Sequence, residues 1–241
     1  MSLRFAFLVL KEHPYGQEML RILLERGYHP GLIIEETSPV ADEERHKFLT
    51  RIAGQPVPPS MTDLIAGQDI PRMEVNKHNS PTCQEMLRDF EPELLVLGGT
   101  AILRPYLLEV PSRGTVNAHP GLLPWLRGSS SVGWAIYKDI EIGSTVHFVE
   151  ASIDTGPIIL RRKLPVRRGA TYESLVRQVI TLSGELMAET VEMFDAGEVQ
   201  GTRQDTTVGE TLRVIPPELL AEGKSRLAEG RYSYFVDNAT S

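Results

Sequence analysis

The sequence predicts an α/β domain with a mostly parallel central sheet, helices on both faces and a short C-terminal α/β extension. Three observations lead there. Short apolar runs alternate with helical patterns through the first half of the 241 residues. Glycine and proline punctuate the ends of those runs. Two β segments and one long apolar stripe at helical spacing fill the second half.

Taken in order, Phe5-Ala6-Phe7-Leu8-Val9-Leu10 reads as a buried strand. Met19, Leu20, Leu23 and Leu24 supply a helical stripe, and Gly27 stands where that helix stops. Residues 31–34 form the second strand. Residues 39–54 are charge-rich, and Pro56, Pro58 and Pro59 break any helix there. A short third strand occupies residues 72–75. Ser80 caps a helix that Pro81 opens and that runs to Phe90. Residues 94–97 are the clearest central strand and end at Gly98-Gly99; residues 115–118 are the next. Ligands bind beyond the C-terminal ends of strands in such sheets, so Gly98-Gly99 and residues 117–120 mark the place to look.

Residues 143–151 and 157–165 read as two β segments joined by a turn at Asp154-Thr155-Gly156. Leu175, Val176, Val179, Leu182, Leu186 and Val191 share helical spacing over 171–195, with Gly197 as the stop. A main domain over 1–197 and an extension over 198–241 follow, the latter holding a strand or two and a helix near 217–229.

Composition narrows the function classes. Hydrophobic residues make up 41% and charged residues 24%, ordinary for a water-soluble globular chain. No apolar run approaches the roughly 20 residues that span a bilayer, so no membrane partner is expected. The apolar N-terminal stretch lacks a small-residue cleavage site and reads as the first strand, not as a signal peptide. One cysteine, Cys83, excludes an internal disulfide and points to a reducing, cytoplasmic setting. A net charge of −7 without a basic stripe gives no support to a nucleic-acid surface. Arg161-Arg162-Lys163 with Arg167-Arg168 is either a solvated hairpin or a landing site for an anionic substrate or cofactor tail. His29, His46 and His78 are scattered among polar and turn residues; solvent exposure is their default, and no metal site is visible.

The chemistry concentrates at Asn117-Ala118-His119-Pro120. Alternate residues of a strand share a face, so Asn117 and His119 project together. Histidine exchanges protons near neutral pH, and an Asn amide is a neutral donor for an oxygen gaining charge. Taken alone the pair is a weak signal, since a histidine at a strand end is more often structural.

With Leu122-Leu123-Pro124 and Arg127-Gly128, this segment resembles the motif of the folate-dependent formyltransferases. That family includes glycinamide ribonucleotide transformylase, methionyl-tRNA formyltransferase and the sugar N-formyltransferases. A second block, residues 143–149 running into Ile153-Asp154-Thr155-Gly156-Pro157, is similar to the family's second motif. Residues 96–114 look like the approach to the catalytic asparagine. The resemblance covers about residues 94–165 and implies a Rossmann-like formyltransferase domain with 10-formyltetrahydrofolate as formyl donor.

Carried over, the resemblance makes Asn117 the oxyanion donor, His119 the acid/base or electrostatic partner, and Asp154 the proton acceptor. It implies a pterin slot lined by Ala101, Ile102, Leu103, Val149, Ala151 and Asp154, with His147 in support. An amine attacking a formyl carbon builds a negative oxygen and a positive nitrogen, and this set answers both charges.

For the acceptor, His13 and Tyr15 in the first βα turn are candidates, as is a lip formed by Arg127, Gly128 and Ser129. The lip segment reads equally as a helix start capped by serine. The turn Lys11-Glu12-His13-Pro14-Tyr15-Gly16 is not glycine-rich and loses a donor at Pro14, which argues against glycinamide ribonucleotide. The acidic balance and the short stretch after the second block argue against tRNA. The expectation is therefore a small amine, on an amino-sugar nucleotide or an amino-acid-derived metabolite, with no nucleic-acid partner and a homodimer left open. The rivals are a hydrolase releasing formate and a non-catalytic folate-binding scaffold.

Overall fold

The computed structural model describes residues 3–197 and 199–238. β1 (Phe5–Leu10) is buried along its whole length, and its two faces feed two separate cores. Phe5, Phe7 and Val9 pack with Met19, Leu23, Val179 and Met187 on one side. Ala6 and Leu8 pack with Ile34, Leu87, Leu95 and Leu107 on the other. A strand covered on both faces needs an unbroken apolar run, and this run is what the sequence supplies.

After β1 come α1 (Pro14–Glu25), β2 (Leu32–Glu36), α2 (Pro39–Arg51), α3 (Met61–Leu64), β3 (Arg72–Val75), α4 (Pro81–Phe90) and β4 (Leu94–Leu97). α5 (Pro105–Leu108), β5 (Thr115–His119), β6 (Leu126–Gly128) and α6 (Ser131–Lys138) follow. β7 (Gly143–Phe148), β8 (Ile158–Lys163), α7 (Tyr172–Ala196), β9 (Glu210–Leu212) and α8 (Pro217–Ala228) complete the order. Seven strands form one sheet in the order β3-β2-β1-β4-β5-β7-β8. The first five are parallel; β7 and β8 join antiparallel. β6 and β9 make a separate parallel pair.

The helix ends follow local chemistry. Ser38, Ser60, Ser80 and Thr171 each accept a backbone N–H in the first turn of their helices. α1 and α7 cover one face of the sheet and are fastened by Glu18, which is fully buried. Its carboxylate accepts from Arg177 at 2.9 Å, Thr181 at 2.8 Å and Arg21 at 2.9 Å. Burial alone would raise its pKa, but these partners hold it down to about 2.

The structure corrects several sequence-based expectations. β2 starts at Leu32, opposite Ala6, although the Gly31 N–H already donates to the Phe5 carbonyl at 3.0 Å. β7 stops at Phe148, so 149–151 are loop, not strand. His78 is not exposed: it is fully buried, with Nε2 3.1 Å from the Ile34 carbonyl oxygen and Nδ1 3.3 Å from Glu36. β6, α3 and α5 are too short for a periodic signal and were not foreseen. The expected boundary at 197/198 falls at Glu198, which lies outside the described residues. Beyond it, β9 pairs with β6 and α8 packs on α6.

Candidate active site

Strand register assembles the centre of the site. Asn117 in β5 lies directly opposite His147 in β7, so their side chains share one face of the antiparallel pair. Asn117 Nδ2 is 3.4 Å from His147 Nε2. The other ring nitrogen, His147 Nδ1, is 2.7 Å from the carbonyl oxygen of Phe148. A carbonyl only accepts, so Nδ1 carries a proton, and Nε2 is the nitrogen that faces the Asn117 amide. His147 Nε2 also lies 3.5 Å from Asp154 Oδ1.

Asp154 sits in the turn after β7 with a left-handed backbone, φ 53°. Aspartate tolerates that region better than most side chains. Its Oδ2 accepts the Gly128 N–H at 2.7 Å and faces His119 Nδ1 at 3.3 Å. Gly128 itself has φ 90°, and a Cβ there would overlap the Leu212 carbonyl oxygen. Burial alone would raise the Asp154 pKa, but His119, His147 and the Gly128 N–H hold the carboxyl well below the usual range.

His119 lies behind this carboxylate. It is buried, with Nε2 2.8 Å from the Leu126 carbonyl oxygen and 3.2 Å from Ser131 Oγ. Burial pulls its pKa below the ordinary value, and the neighbouring Asp154 offsets only part of that.

A cavity of about 510 Å³ opens at the C-terminal ends of the parallel strands. Asn117, His147 and Asp154 line it, and His119 does not. Ala101, Ile102, Leu103, Val149 and Ala151 form one end of the wall. His13, Tyr15, Gly128 and Ser129 also reach it. Arg127 departs from the expected lip. It is buried, and its guanidinium donates to the carbonyls of Pro124 and Val208, each at 2.9 Å, and to Thr211 Oγ1 at 3.2 Å. Those contacts fasten β6 to the chain around β9, so the segment is neither free nor a serine-capped helix start. Ser130 precedes α6 without a side-chain cap bond.

Four wall residues and one residue behind the wall lie outside the sequence-based expectation. Val40, Glu44, Phe48 and Arg51 present one face of α2 to the cavity. Phe48 packs on His13, with ring centroids 4.9 Å apart. Gln204, from the chain beyond α7, backs the turn and donates to the carbonyls of Asp154 at 3.0 Å and Gly156 at 2.6 Å.

The basic segment is held by protein groups. Arg161 donates to the Leu123 carbonyl at 2.6 Å and stacks over Trp125, Arg162 pairs with Glu189 at 2.9 Å, and Lys163 pairs with Glu141 at 2.7 Å. Among the described residues, no group of three or more His, Cys, Asp or Glu could hold a metal ion, and no helix is long and apolar enough to cross a membrane.

His13 gives a stability test. Burial, reinforced by Arg51, lowers its pKa to about 4. The unfolded chain takes up a proton near pH 6.5 and the folded chain does not, so stability is full above that pH and falls on acidification towards 4. His13→Asn keeps a side-chain acceptor for the Tyr15 N–H that His13 caps at 3.3 Å. Urea unfolding at pH 7 and 4.5 should show the variant losing up to about 3 kcal/mol less than the parent. Equal losses would contradict the burial argument.

Comparison with known proteins gives a consistent picture. A model of the formyl transferase family matches residues 4–191. The chain is 30% identical over 192 residues to a methionyl-tRNA formyltransferase of Pelobacter propionicus, covering 78% of this chain and 57% of that protein. It thus spans little more than half the length of that relative. Among solved structures it resembles a phosphoribosylglycinamide formyltransferase of Coxiella burnetii, with TM-score 0.63 and 19% identity over 89% of this chain and all of that one. It also resembles a sugar N-formyltransferase of a Shewanella species, with TM-score 0.59 and 16% identity over 87% of this chain and 76% of that one.

These relatives overturn the expectation of a small-molecule amine acceptor with no nucleic-acid partner, because those at 30% identity are named for a tRNA substrate. The inference from charge failed for a physical reason. A net charge of −7 is a sum over the whole chain and says nothing of a local contact made by a few residues.

Proposed function

This chain belongs to the formyl transferase family, and we propose that it moves a formyl group from 10-formyltetrahydrofolate to an amine at the wall formed by Asn117, His147 and Asp154. One observation carries the reading: an amide, an imidazole and a carboxylate stand in sequence on a single cavity wall, each within 3.5 Å of the next.

Asn117 keeps one amide N–H on His147 and turns the other towards the cavity, where it meets the oxygen that gains charge as the amine attacks. Asp154 accepts the proton the attacking nitrogen must lose, directly or through His147 Nε2, and returns it to the departing folate nitrogen. The new bond joins the amine nitrogen to the formyl carbon; the bond broken is from that carbon to the folate. His119, closed off from the cavity, acts from behind by fixing the carboxylate. The apolar stretch of Leu97, Leu103 and Val149 suits a flat heteroaromatic ring, which favours that end of the cavity for the folate. A cytoplasmic setting goes with this reading.

For the acceptor, the relatives point to the amino group of methionyl-tRNA. The α2 face is the wall left for it. Phe48 and Val40 offer apolar surface to an aminoacyl side chain. Arg51 has no hydrogen-bond or ion-pair partner among the described residues and suits a phosphate. Arg51→Ala should raise KM for the acceptor about 10- to 150-fold and leave KM for the folate unchanged, since one charge-assisted bond is worth about 1.5–3 kcal/mol. Equal acceptor KM in the two proteins would remove Arg51 from the site.

The function is tested by supplying 10-formyltetrahydrofolate with and without methionyl-tRNA and following formylmethionyl-tRNA and tetrahydrofolate. Formate released without an amine would make the chain a hydrolase instead. Folate binding with no product in either arm would leave a scaffold.

A further inference from the structure

The catalytic turn is held at both sides by chain that lies beyond the segment matched by the family model. The turn at 154–156 has no ladder of its own, and Asp154 adopts a left-handed conformation that side chains rarely take. Gln204 Nε2 donates both its hydrogens, one to the Asp154 carbonyl at 3.0 Å and one to the Gly156 carbonyl at 2.6 Å. Both partners are acceptors only, so the amide must present its nitrogen there, and its Oε1 has no partner among the described residues.

Two residues earlier, Thr202 exchanges backbone bonds with Ile158, N–H to carbonyl at 2.7 Å and carbonyl to N–H at 2.8 Å. This anchors the strand that follows the turn. On the far side, the Gly128 N–H that grips the Asp154 carboxylate belongs to β6, and β6 is paired with β9. The Ser129 N–H donates to the Leu212 carbonyl at 2.9 Å, and Arg127 ties down Val208. The backbone of Asp154 and the donor to its carboxylate therefore both depend on residues 202–212, outside the matched range of 4–191.

We propose that residues 202–212 act as a strap over the catalytic turn, and that Gln204 is a positioning residue that fixes the Asp154 carboxylate against Gly128, His119 and His147. The inference rests on the reading of Asp154 as the proton acceptor. A carboxylate displaced by about 1 Å can cost on the order of 10²-fold in rate, so a group that never touches substrate can govern turnover.

Gln204→Ala and Gln204→Glu test it, with steady-state kinetics on 10-formyltetrahydrofolate and methionyl-tRNA at a temperature well below melting. Gln204→Ala should lower kcat about tenfold with KM for the folate within about twofold of the parent. Gln204→Glu keeps the length of the side chain but sets acceptors against two carbonyls, and should lose more. In both, the acid limb of kcat should move to higher pH. A carboxylate less firmly held by the Gly128 N–H, His119 and His147 takes up a proton more readily.

Arg203→Ala, an exposed neighbour, should leave kcat unchanged. A parental kcat in Gln204→Ala, a loss that tracks only a lower melting temperature, or an acid limb that stays in place would overturn the strap. Asp154→Asn, run in parallel, separates the two levels. If it abolishes turnover while Gln204→Ala does not, only the strap fails. If Asp154→Asn keeps full turnover, the reading of the site fails first.

Discussion

Asp154→Asn is expected to fold as the parent does and to lose about 10²–10⁴ in kcat. Asparagine has the shape of aspartate, and its Oδ1 can still accept the Gly128 N–H, now 2.7 Å from Oδ2. What it cannot do is take a proton from an attacking amine. It also removes the negative charge that faces His119 Nδ1 at 3.3 Å and His147 Nε2 at 3.5 Å. The loss should fall on kcat with little change in KM for the folate, because the interaction develops only as the amine nitrogen becomes positive.

A stability measurement gives an independent sign. The Asp154 pKa is depressed in the folded state. Its ionised form therefore stabilises the fold above an unfolded value of about 3.9, and that contribution is lost as pH falls through the folded value. The stability gap between parent and variant should narrow as the solution is acidified below pH 4. Full turnover in a folded Asp154→Asn protein would end the assignment of this carboxylate.

The strands that carry the site were readable because they are buried on both faces and so consist of continuous apolar runs, Phe5–Leu10 and Leu94–Leu97 above all. Asn117 stood out because a polar residue interrupts such a run at a strand end. Asp154 was singled out by the resemblance of its segment to the family's second motif, because an aspartate opening an Asp-Thr-Gly turn reads equally as a turn residue. The partnership between Asn117 and His147 was not readable. It depends on β7 running antiparallel to β5 in one particular register, and nothing local to either strand sets that register.

The same holds for His119. The two-residue period puts it on the face of Asn117, but only the position of Leu126 and Ser131 turns its ring away from the cavity. The α2 wall was hidden by composition. Helix Pro39–Arg51 buries only Ala41 and Phe48, so its charged residues gave no apolar stripe from which to single out the face that lines the cavity. Gln204 and Arg127 act across 50 and 81 residues of sequence, where no spacing rule operates.

Gly156→Ala is expected to lower both stability and turnover, and the reason differs from the one a turn glycine suggests. Within Asp154-Thr155-Gly156 the left-handed residue is Asp154, not the glycine. Gly156 is required because a Cβ there would overlap the carbonyl oxygen of Phe148. That carbonyl receives the proton of His147 Nδ1 at 2.7 Å and so sets which nitrogen faces Asn117. An alanine must push the turn outward or rotate the peptide joining Phe148 to Val149, whose N–H is held by the Thr115 carbonyl at 2.8 Å.

The first movement draws Asp154 away from Gly128, and the second releases the His147 ring. Overpacking of this kind costs about 1–3 kcal/mol, a melting shift of several degrees that leaves the protein folded at 20 °C. Turnover should nevertheless fall about 10²-fold there, since either route misplaces an amide or a carboxylate by a sizeable fraction of an ångström. If the folded variant turns over like the parent, the Phe148 carbonyl does not set the His147 ring, and the Asn117 amide must be oriented by the bound substrate instead.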